Sequence, residues 1–208
     1  MPAKLLTNPR KHASQERSRA TVDALIEATA RILVKEGFDR ASTNRVAEQA
    51  GVSVGSLYQY FPGKDALVAA VIDRHREELS EVARGALAKA ATQPIKPAVR
   101  TLVAAAIDAH RIDPRLHRVL AEQIPRTGRL EKVETFSREN YALFIAYLER
   151  HSDELRPIDL DLASFVCVTS IEALTHSAVL HNPAMLSDGA AVTALIDEIT
   201  RLIVGYLQ

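Results

Sequence analysis

The apolar residues of this 208-residue chain recur every three or four positions, and no stretch alternates as a half-buried strand would. Proline and glycine interrupt the pattern at Gln93-Pro94, Asp113-Pro114, residues 125–128, Arg156-Pro157 and Asn182-Pro183. Because proline cannot continue a helix beyond its first turn, each interruption predicts a helix boundary. The sequence therefore predicts an all-α fold of about nine helices without a sheet.

Residues 42–64, STNRVAEQAGVSVGSLYQYFPGK, contain two short helical patterns that meet at a glycine. A helix-turn-helix needs a small residue where its helices cross, a positive backbone angle in the turn and an apolar anchor on the second helix. Ala47, Gly51 and Leu57 meet these needs, and Ser42 and Ser53 can cap the two helices. This segment predicts a helix-turn-helix whose second helix enters the major groove of DNA.

The charge distribution is consistent with this prediction. Net charge is zero, with 26 basic and 26 acidic residues, but residues 1–64 hold 10 Lys and Arg against 6 Asp and Glu. A cationic front end joined to an anionic body fits DNA binding at one end only. Residues 1–14 are predicted to form a flexible basic arm in which Arg10 and Lys11 either reach the minor groove or belong to a disordered tail.

Two residues after the second helix suggest phosphate contacts. The ring of Tyr60 can pack inward while its hydroxyl reaches a phosphate oxygen. Lys64 stands where the fourth helix begins, and a cation there opposes the helix dipole at a cost of roughly a few tenths of a kcal/mol. A phosphate held jointly by Lys64 and the helix N-terminus would explain the residue. The alternatives are simple packing for Tyr58 and Tyr60 and a solvated charge for Lys64.

Over residues 17–77 the chain resembles the tetracycline-repressor-like (TetR/AcrR) transcriptional regulators. The motifs that carry the resemblance are Glu36-Gly37-Phe38, Ser42-Thr43, Val46-Ala47, Ala50-Gly51-Val52-Ser53, Gly55, Leu57-Tyr58, Tyr60-Phe61 and Lys64 to Leu67. One departure is mild, because Tyr60 stands where histidine is also frequent. Beyond residue 77 the resemblance extends only to size and an all-helical layout.

The resemblance implies two kinds of DNA contact. The residues expected to contact the sugar-phosphate backbone or the groove wall are Thr43, Tyr58, Tyr60 and Lys64. The residues expected to lie nearest the base edges are Asn44, Arg45, Val54, Gly55, Ser56 and Gln59. Ser53 completes the predicted DNA-binding set. Val54 and Gly55 have the alternative role of shaping the helix start. The predicted domains are a DNA-binding domain over residues 15–64 and, by resemblance, an effector-binding and dimerisation domain over 65–208, entered by a linking helix over about 65–91.

Two apolar helices predict a homodimer. Residues 160–180 are apolar nearly all round, so this helix must be buried on more than one side. Paired with their two-fold copies, this helix and the last one would form a four-helix interface. Two recognition helices would then lie about 34 to 36 Å apart, which predicts a palindromic operator. The alternative is an intramolecular core. The predicted interface residues are Leu162, Phe165, Val166, Ile171, Leu174, Leu195, Ile199, Leu202 and Tyr206.

Polar and aromatic side chains among the later apolar stripes are candidates to line a small-molecule effector pocket: His75, His110, Glu122, Arg138, Tyr141, Phe144, Thr175 and His176. They form no diagnostic cluster, and solvated or core positions are the alternatives. No metal or cofactor is predicted, because Cys167 is the only cysteine and His176 and His181 are five residues apart, a poor helical chelate.

The leading hypothesis is a ligand-responsive homodimeric repressor bound to a palindromic operator in double-stranded DNA. The alternatives are an activator or a regulator without an effector, an enzyme that uses the helical cavity, and a helical protein-interaction module. No enzyme is predicted, because the sequence lacks Gly-x-Ser-x-Gly, His-Glu-x-x-His and a phosphate-binding glycine loop. With no signal-peptide pattern and no apolar run near the roughly 18 to 20 residues of a membrane span, we expect a cytoplasmic protein without a membrane partner.

Overall fold

The computed structural model describes residues 16–127 and 141–208. Its helices are α1 (Glu16–Glu36), α2 (Thr43–Ala50), α3 (Val54–Tyr60), α4 (Lys64–Ala90), α5 (Ile95–Arg111), α6 (Pro114–Thr127), α7 (residues 141–150), α8 (Leu160–His181) and α9 (Gly189–Leu207). Short 3-10 helices lie at Ser152–Glu154 and Met185–Ser187. The described residues contain no strand, and the predicted all-α fold is confirmed.

Side-chain caps and one glycine set the boundaries of the two short helices. Ser42 Oγ accepts from the Arg45 N–H at 3.3 Å at the start of α2, and Ser53 Oγ accepts from the Ser56 N–H at 3.1 Å at the start of α3. Gly51 ends α2 with a φ of 68°, a left-handed conformation that any other residue would adopt only with strain. These contacts confirm the capping and turn residues predicted from the sequence.

The described residues form two compact units. The N-terminal unit comprises residues 16–77 and 115–127, and the C-terminal unit comprises residues 78–114 and 141–208. This division falls inside α4, between Glu77 and Glu78, whereas the sequence suggests a boundary between residues 64 and 65. The signal at Pro62-Gly63 marks the start of α4, and α4 continues without a break past the division.

The core of the N-terminal unit forms where α1 packs on α2 and α2 packs on α3. Leu25 and Leu33 of α1, Val46 of α2 and Leu57 of α3 are all buried in one cluster together with Phe61. Burying a side chain of this size stabilises the fold by about 1.5 to 3 kcal/mol. This cluster fixes the angle at which α3 leaves the turn.

The core of the C-terminal unit forms where α5 packs against α8 and α9. Val99, Val103 and Ile107 recur every four residues along α5 and are fully buried. The α8 helix is long and apolar enough to span a membrane by length and composition alone, a test that core helices also pass. It buries Cys167 and Ile171 in this cluster, so it serves as a core helix of the unit.

A polar network joins the start of α5 to the segment after α7. Glu154 accepts the backbone N–H of Ile95 at 3.1 Å and lies 2.9 Å from Nδ1 of His151. The hydrogen bond from the Ile95 N–H is the main cause that lowers the pKa of Glu154, and the contact with His151 is the second. The Tyr147 hydroxyl donates to the Gln93 carbonyl at 2.9 Å, and burial together with the Glu154 charge raises the pKa of Tyr147 to about 12.

One arginine holds the end of α9. The Arg156 backbone N–H donates to the Leu207 carbonyl at 3.0 Å, and Nε donates to the Tyr206 carbonyl at 2.7 Å. The guanidinium carbon also lies 5.0 Å from the centre of the Tyr206 ring. Because the last carbonyls of a helix have no partner within the helix, these contacts satisfy groups that would otherwise depend on water.

Candidate nucleic-acid interface

The helix-turn-helix has the predicted crossing geometry. Ala47, where α2 packs on α3, is 1% exposed, and the anchor Leu57 is fully buried. The seven residues of α3 make two turns, and the helix turns its other side outward. A short helix anchored on one side only can present its outer face to a groove.

Most of the predicted DNA-binding residues lie on this outer surface. The exposed ones are Asn44, Arg45, Ser53, Val54, Gly55, Tyr58 and Gln59, and the half-buried ones are Thr43, Ser56 and Lys64. Tyr60 is buried, with 7% of its surface exposed. The surface therefore combines hydroxyl, amide and guanidinium donors, the groups that contact phosphates and base edges.

Two hydroxyl groups connect α2 and α3. Oγ1 of Thr43 lies 3.1 Å from the hydroxyl of Tyr58, although the residues are fifteen positions apart. Either oxygen can be the donor, and each keeps acceptor capacity for another partner. The contact fixes the ring of Tyr58, which is 41% exposed, against the first turn of α2. The two predicted backbone-contacting residues thus form one paired site.

Tyr60 contributes mainly to the fold of the N-terminal unit. Its hydroxyl donates to Oγ of Ser18 at 3.0 Å and so ties the last residue of α3 to α1. A phenol has a single O–H to donate. The inward-packed ring follows the sequence interpretation, but the hydroxyl has a partner within the chain.

Lys64 also has partners within the chain. Its Nζ donates to the carbonyl oxygen of Phe38 at 3.1 Å and lies 4.0 Å from the centre of the Phe38 ring. A carbonyl and an aromatic face both attract a cation, so they offset the unfavourable helix dipole. The sequence predicts a phosphate for this purpose, and the fold supplies two partners of its own. An ammonium group has three donors, so two remain for a phosphate.

Arg45 is held by an ion pair. Its Nη2 lies 2.8 Å from Oε1 of Glu36, the last residue of α1. The ion pair therefore sets the direction of the Arg45 guanidinium before any DNA binds.

Sequence reasoning missed Ser18, Glu36 and Phe38, which hold Tyr60, Arg45 and Lys64 respectively. These contacts join residues that are 42, 9 and 26 positions apart. Helical spacing of three or four cannot reveal such pairs. The only available signal was Glu36-Gly37-Phe38 itself, which reads as a helix stop.

Two predicted effector-pocket residues belong to the core of the C-terminal unit. Thr175 is 1% exposed, and its hydroxyl donates to the Ile171 carbonyl at 2.8 Å, one turn back on α8. Phe144 is 2% exposed and stacks on Tyr147 with ring centres 6.0 Å apart. The Thr175 hydroxyl is bonded within its own helix, and the Phe144 ring packs on a neighbouring ring, so the core accounts for both side chains.

Three other predicted residues lie on α8 or next to it. The Tyr141 hydroxyl is 3.2 Å from Oγ1 of Thr169, and the His110 ring meets the edge of the His176 ring at 6.2 Å between centres. Thr169 and His176 are seven residues apart and so share one helix face. Burial is the main cause that lowers the pKa of His176, and the charges of His110 and His181 lower it further. Burial therefore favours the neutral form of the His176 imidazole.

The remaining effector candidates lie elsewhere. His75 is buried in the N-terminal unit, with Nε2 3.1 Å from Nδ1 of His117. Arg138 and the side chain of Glu122 lie outside the described residues. An open groove of about 690 Å³ between α4 and α5 is lined by Glu81, Val82, Gly85, Ala86, Lys89, Gln93, Pro97, Arg100, Thr101, Ala104, Ala105 and Asp108, a set that includes no effector candidate.

The predicted dimer residues divide into three groups by burial. Leu162, Phe165, Leu174 and Leu202 are exposed by 56%, 54%, 39% and 56%. Val166, Leu195 and Tyr206 are half-buried. Ile171 and Ile199 are 8% and 3% exposed, so they already pack in the core of the C-terminal unit.

Two family models match the chain. Residues 25–71 match the model described as "Bacterial regulatory proteins, tetR family". Residues 94–207 match the model described as "Tetracyclin repressor-like, C-terminal domain", which by itself covers more than half of the chain.

Individual proteins show the same likeness. The chain is 29% identical over 120 residues to "Nucleoid occlusion factor SlmA" of Haemophilus ducreyi, which is 58% of this chain and 56% of that protein. It is 36% identical over 74 residues to "HTH-type transcriptional repressor KstR" of Mycolicibacterium smegmatis. The matched residues cover 35% of this chain and 36% of that protein. The chain thus spans about half the length, or less, of these curated relatives.

A solved structure extends the likeness to nearly the whole chain. The fatty acid degradation regulator FadR from Bacillus halodurans superposes with a TM-score of 0.68, covering 95% of this chain and 98% of that one. At 17% sequence identity the likeness shows the fold alone.

Proposed function

Since the chain belongs to the tetR family of bacterial regulatory proteins, we propose that it is a homodimeric repressor that releases a palindromic operator when a small molecule binds. It is a DNA-binding transcription regulator, and family and fold point to a regulator rather than an enzyme. The relative KstR, named a repressor, supports repression as its mode of action. The observation that carries the proposal is the exposed polar face of α2 and α3. The protein acts in the cytoplasm, where its DNA is found.

The proposed DNA contacts follow from exposure and donor capacity. The paired hydroxyls of Thr43 and Tyr58 and the two remaining donors of Lys64 bind phosphates. The exposed side chains of Asn44, Arg45 and Gln59 reach base edges, together with Ser53 to Ser56 at the start of α3. Tyr60 is left out of this set, because Ser18 accepts its only O–H.

The proposed dimer uses the exposed apolar residues of α8 and α9. Leu162 and Phe165 on α8 and Leu202 on α9 leave more than half of their surfaces in solvent within one chain. Large apolar side chains exposed together are typical of protein interfaces. A two-fold pairing would bury them and place two α3 helices on successive turns of DNA. Ile171 and Ile199 are not part of this proposal, because the core contains them.

The proposed effector lies along one face of α8. Thr169 and His176 are two turns apart on this face, about 10 Å by helix rise, and Tyr141 and His110 meet them from α7 and α5. Four side chains with hydrogen-bonding groups thus follow one apolar helix of the C-terminal unit. An effector shifts the balance between DNA-bound and free states only by its different affinity for them.

Selection of bound sequences from random double-stranded DNA tests the DNA-binding proposal. We expect a palindrome whose half-sites are centred about 10 base pairs apart. Gln59→Ala should relax selection at one or two positions per half-site. Tyr58→Phe should weaken binding to all sequences and leave the salt dependence unchanged, because it removes a neutral hydroxyl rather than a charge. Arg31→Ala is the control, since Arg31 pairs with Glu27 on α1. An enrichment of single half-sites would contradict the dimeric operator.

Sedimentation of the variant Leu162→Asp, Leu202→Asp tests the dimer. We expect a monomer at concentrations where the unmodified chain is a dimer, because four buried carboxylates per dimer would lack partners. Leu143→Asp is a matched control on α7, where Leu143 is 43% exposed but outside the proposed interface. Loss of the dimer in the control, or its survival in the double variant, would refute this interface.

A further inference from the structure

We propose that Glu36 is a positioning residue for sequence recognition, which sets the DNA specificity of this regulator by holding Arg45. This inference rests on the proposed function, because it assigns a role to a residue behind the DNA-binding face. Glu36 ends α1 and belongs to neither helix of the helix-turn-helix. Its carboxylate binds the guanidinium that projects from the first turn of α2.

The geometry of the pair is asymmetric. The side chain of Glu36 is only 14% exposed, whereas that of Arg45 is 54% exposed, and Oε1 and Nη2 are 2.8 Å apart. The backbone of Arg45 is fixed separately, since its N–H donates to Oγ of Ser42. A largely buried carboxylate thus holds one end of an arginine side chain that is more than half exposed. A guanidinium has five donors, so four remain for DNA.

This arrangement has two consequences for DNA binding. A free arginine binds any phosphate, so it adds affinity without sequence preference. The neighbouring carboxylate offsets that charge and weakens such binding. Recognition of a base edge instead needs the guanidinium in one orientation, and Glu36 supplies that order before DNA binds. The ion pair therefore disfavours random DNA and favours the correct sequence.

The test replaces the carboxylate with an amide of the same shape. Glu36→Gln should bind random DNA about twofold to fivefold more tightly, the range expected when a partly exposed ion pair is lost. For random DNA, the slope of log affinity against log salt concentration should steepen by up to about one, which corresponds to one more released counterion. The ratio of affinities for the selected operator and random DNA should fall by at least the same factor. Thermal unfolding of the variant verifies that the fold is kept.

Glu27→Gln is the matched control. Glu27 lies on the same helix, pairs with Arg31 and is 56% exposed, so this variant makes the same charge change away from α2. The second control repeats Glu36→Gln in an Arg45→Ala background, where the specificity effect should disappear. A structural role for Glu36 alone would lower stability without changing the salt slope or the affinity ratio.

The outcomes separate the two proposals. If the unmodified protein discriminates between operator and random DNA but Glu36→Gln behaves like Glu27→Gln, the role of Glu36 is refuted. A specificity effect that persists without Arg45 refutes it as well. If the unmodified protein binds both DNAs equally, the proposed operator recognition fails first, and the Glu36 assignment fails with it.

Discussion

The two units of the chain use polar side chains in different ways. In the N-terminal unit, exposed polar groups join α2 to neighbouring helices, as Thr43 does with Tyr58 and Glu36 does with Arg45. In the C-terminal unit, the buried hydroxyls of Thr175 and Thr200 bond to carbonyls four residues earlier in their own helices. A polar residue inside a helical body is thus weak evidence for a pocket, whereas one that joins two helices at a surface is better evidence for a site.

The largest expected effect tests whether α3 separates folding from DNA recognition. Leu57→Ala removes a fully buried side chain and should destabilise the protein by about 2 to 5 kcal/mol in chemical unfolding. Val54→Ala, on the outer face of the same helix, should cost less than about 1 kcal/mol but change operator affinity. If the two variants lost equal stability, the separation of inner and outer faces would be wrong.

A smaller effect tests the contacts that close the C-terminal unit. Arg156→Ala loses the bond to the Tyr206 carbonyl and the contact with its ring, so stability should fall by about 1 kcal/mol. Arg201→Ala is the control, because its pair with Glu198 is exposed and should contribute less than about 0.5 kcal/mol. Equal melting temperatures for the two variants would show that Arg156 has no special role.

The acidic network predicts a dependence on pH. Because the pKa of Glu154 is lowered in the folded chain, its contribution to stability is present above the unfolded value and is lost as pH falls through the folded pKa. Glu154→Gln should therefore melt below the unmodified chain at neutral pH, with a difference that disappears in acid. Glu149→Gln, on the exposed surface of α7, provides the baseline. A difference that is independent of pH would contradict the assignment.

The smallest expected effect is an absence of reaction. Cys167 is fully buried, and burial raises the pKa of its thiol to about 12. Since the thiolate is the reactive form, a thiol reagent at about pH 8 should not label the native protein but should label it fully after unfolding. Rapid labelling of the native protein would mean that the core of the C-terminal unit opens readily.

The sequence was sufficient for the helices and for the turn between α2 and α3. Those features depend on local chemistry, such as the caps Ser42 and Ser53 and the left-handed Gly51. The partners of Lys64 and Tyr60 depend on tertiary packing, and no local pattern encodes them. For Lys64 the sequence reveals an unfavourable charge, and the phosphate contact stays a prediction. A carbonyl and a ring within the chain also offset that charge, and only the fold reveals them.

The effector candidates show the same limit. Helical spacing placed Tyr141 and His176 on faces that do meet other side chains, but the spacing gave the same weight to Phe144 and Thr175, which are core residues. Apolar periodicity reveals that a position is buried and says nothing about what covers it. Only the three-dimensional arrangement distinguishes a residue packed in the core from one beside a neighbouring polar group.

The bond between Glu154 and the Ile95 N–H has a consequence for synthesis of the chain. A ribosome makes α5 well before it reaches Glu154, 59 residues later. During that interval the first turn of α5 has no acidic side chain to accept its N–H groups, so its start frays in water. The helix becomes fully ordered only after the segment following α7 has emerged. Translation pauses between these two points would therefore leave the start of α5 open to proteases and chaperones.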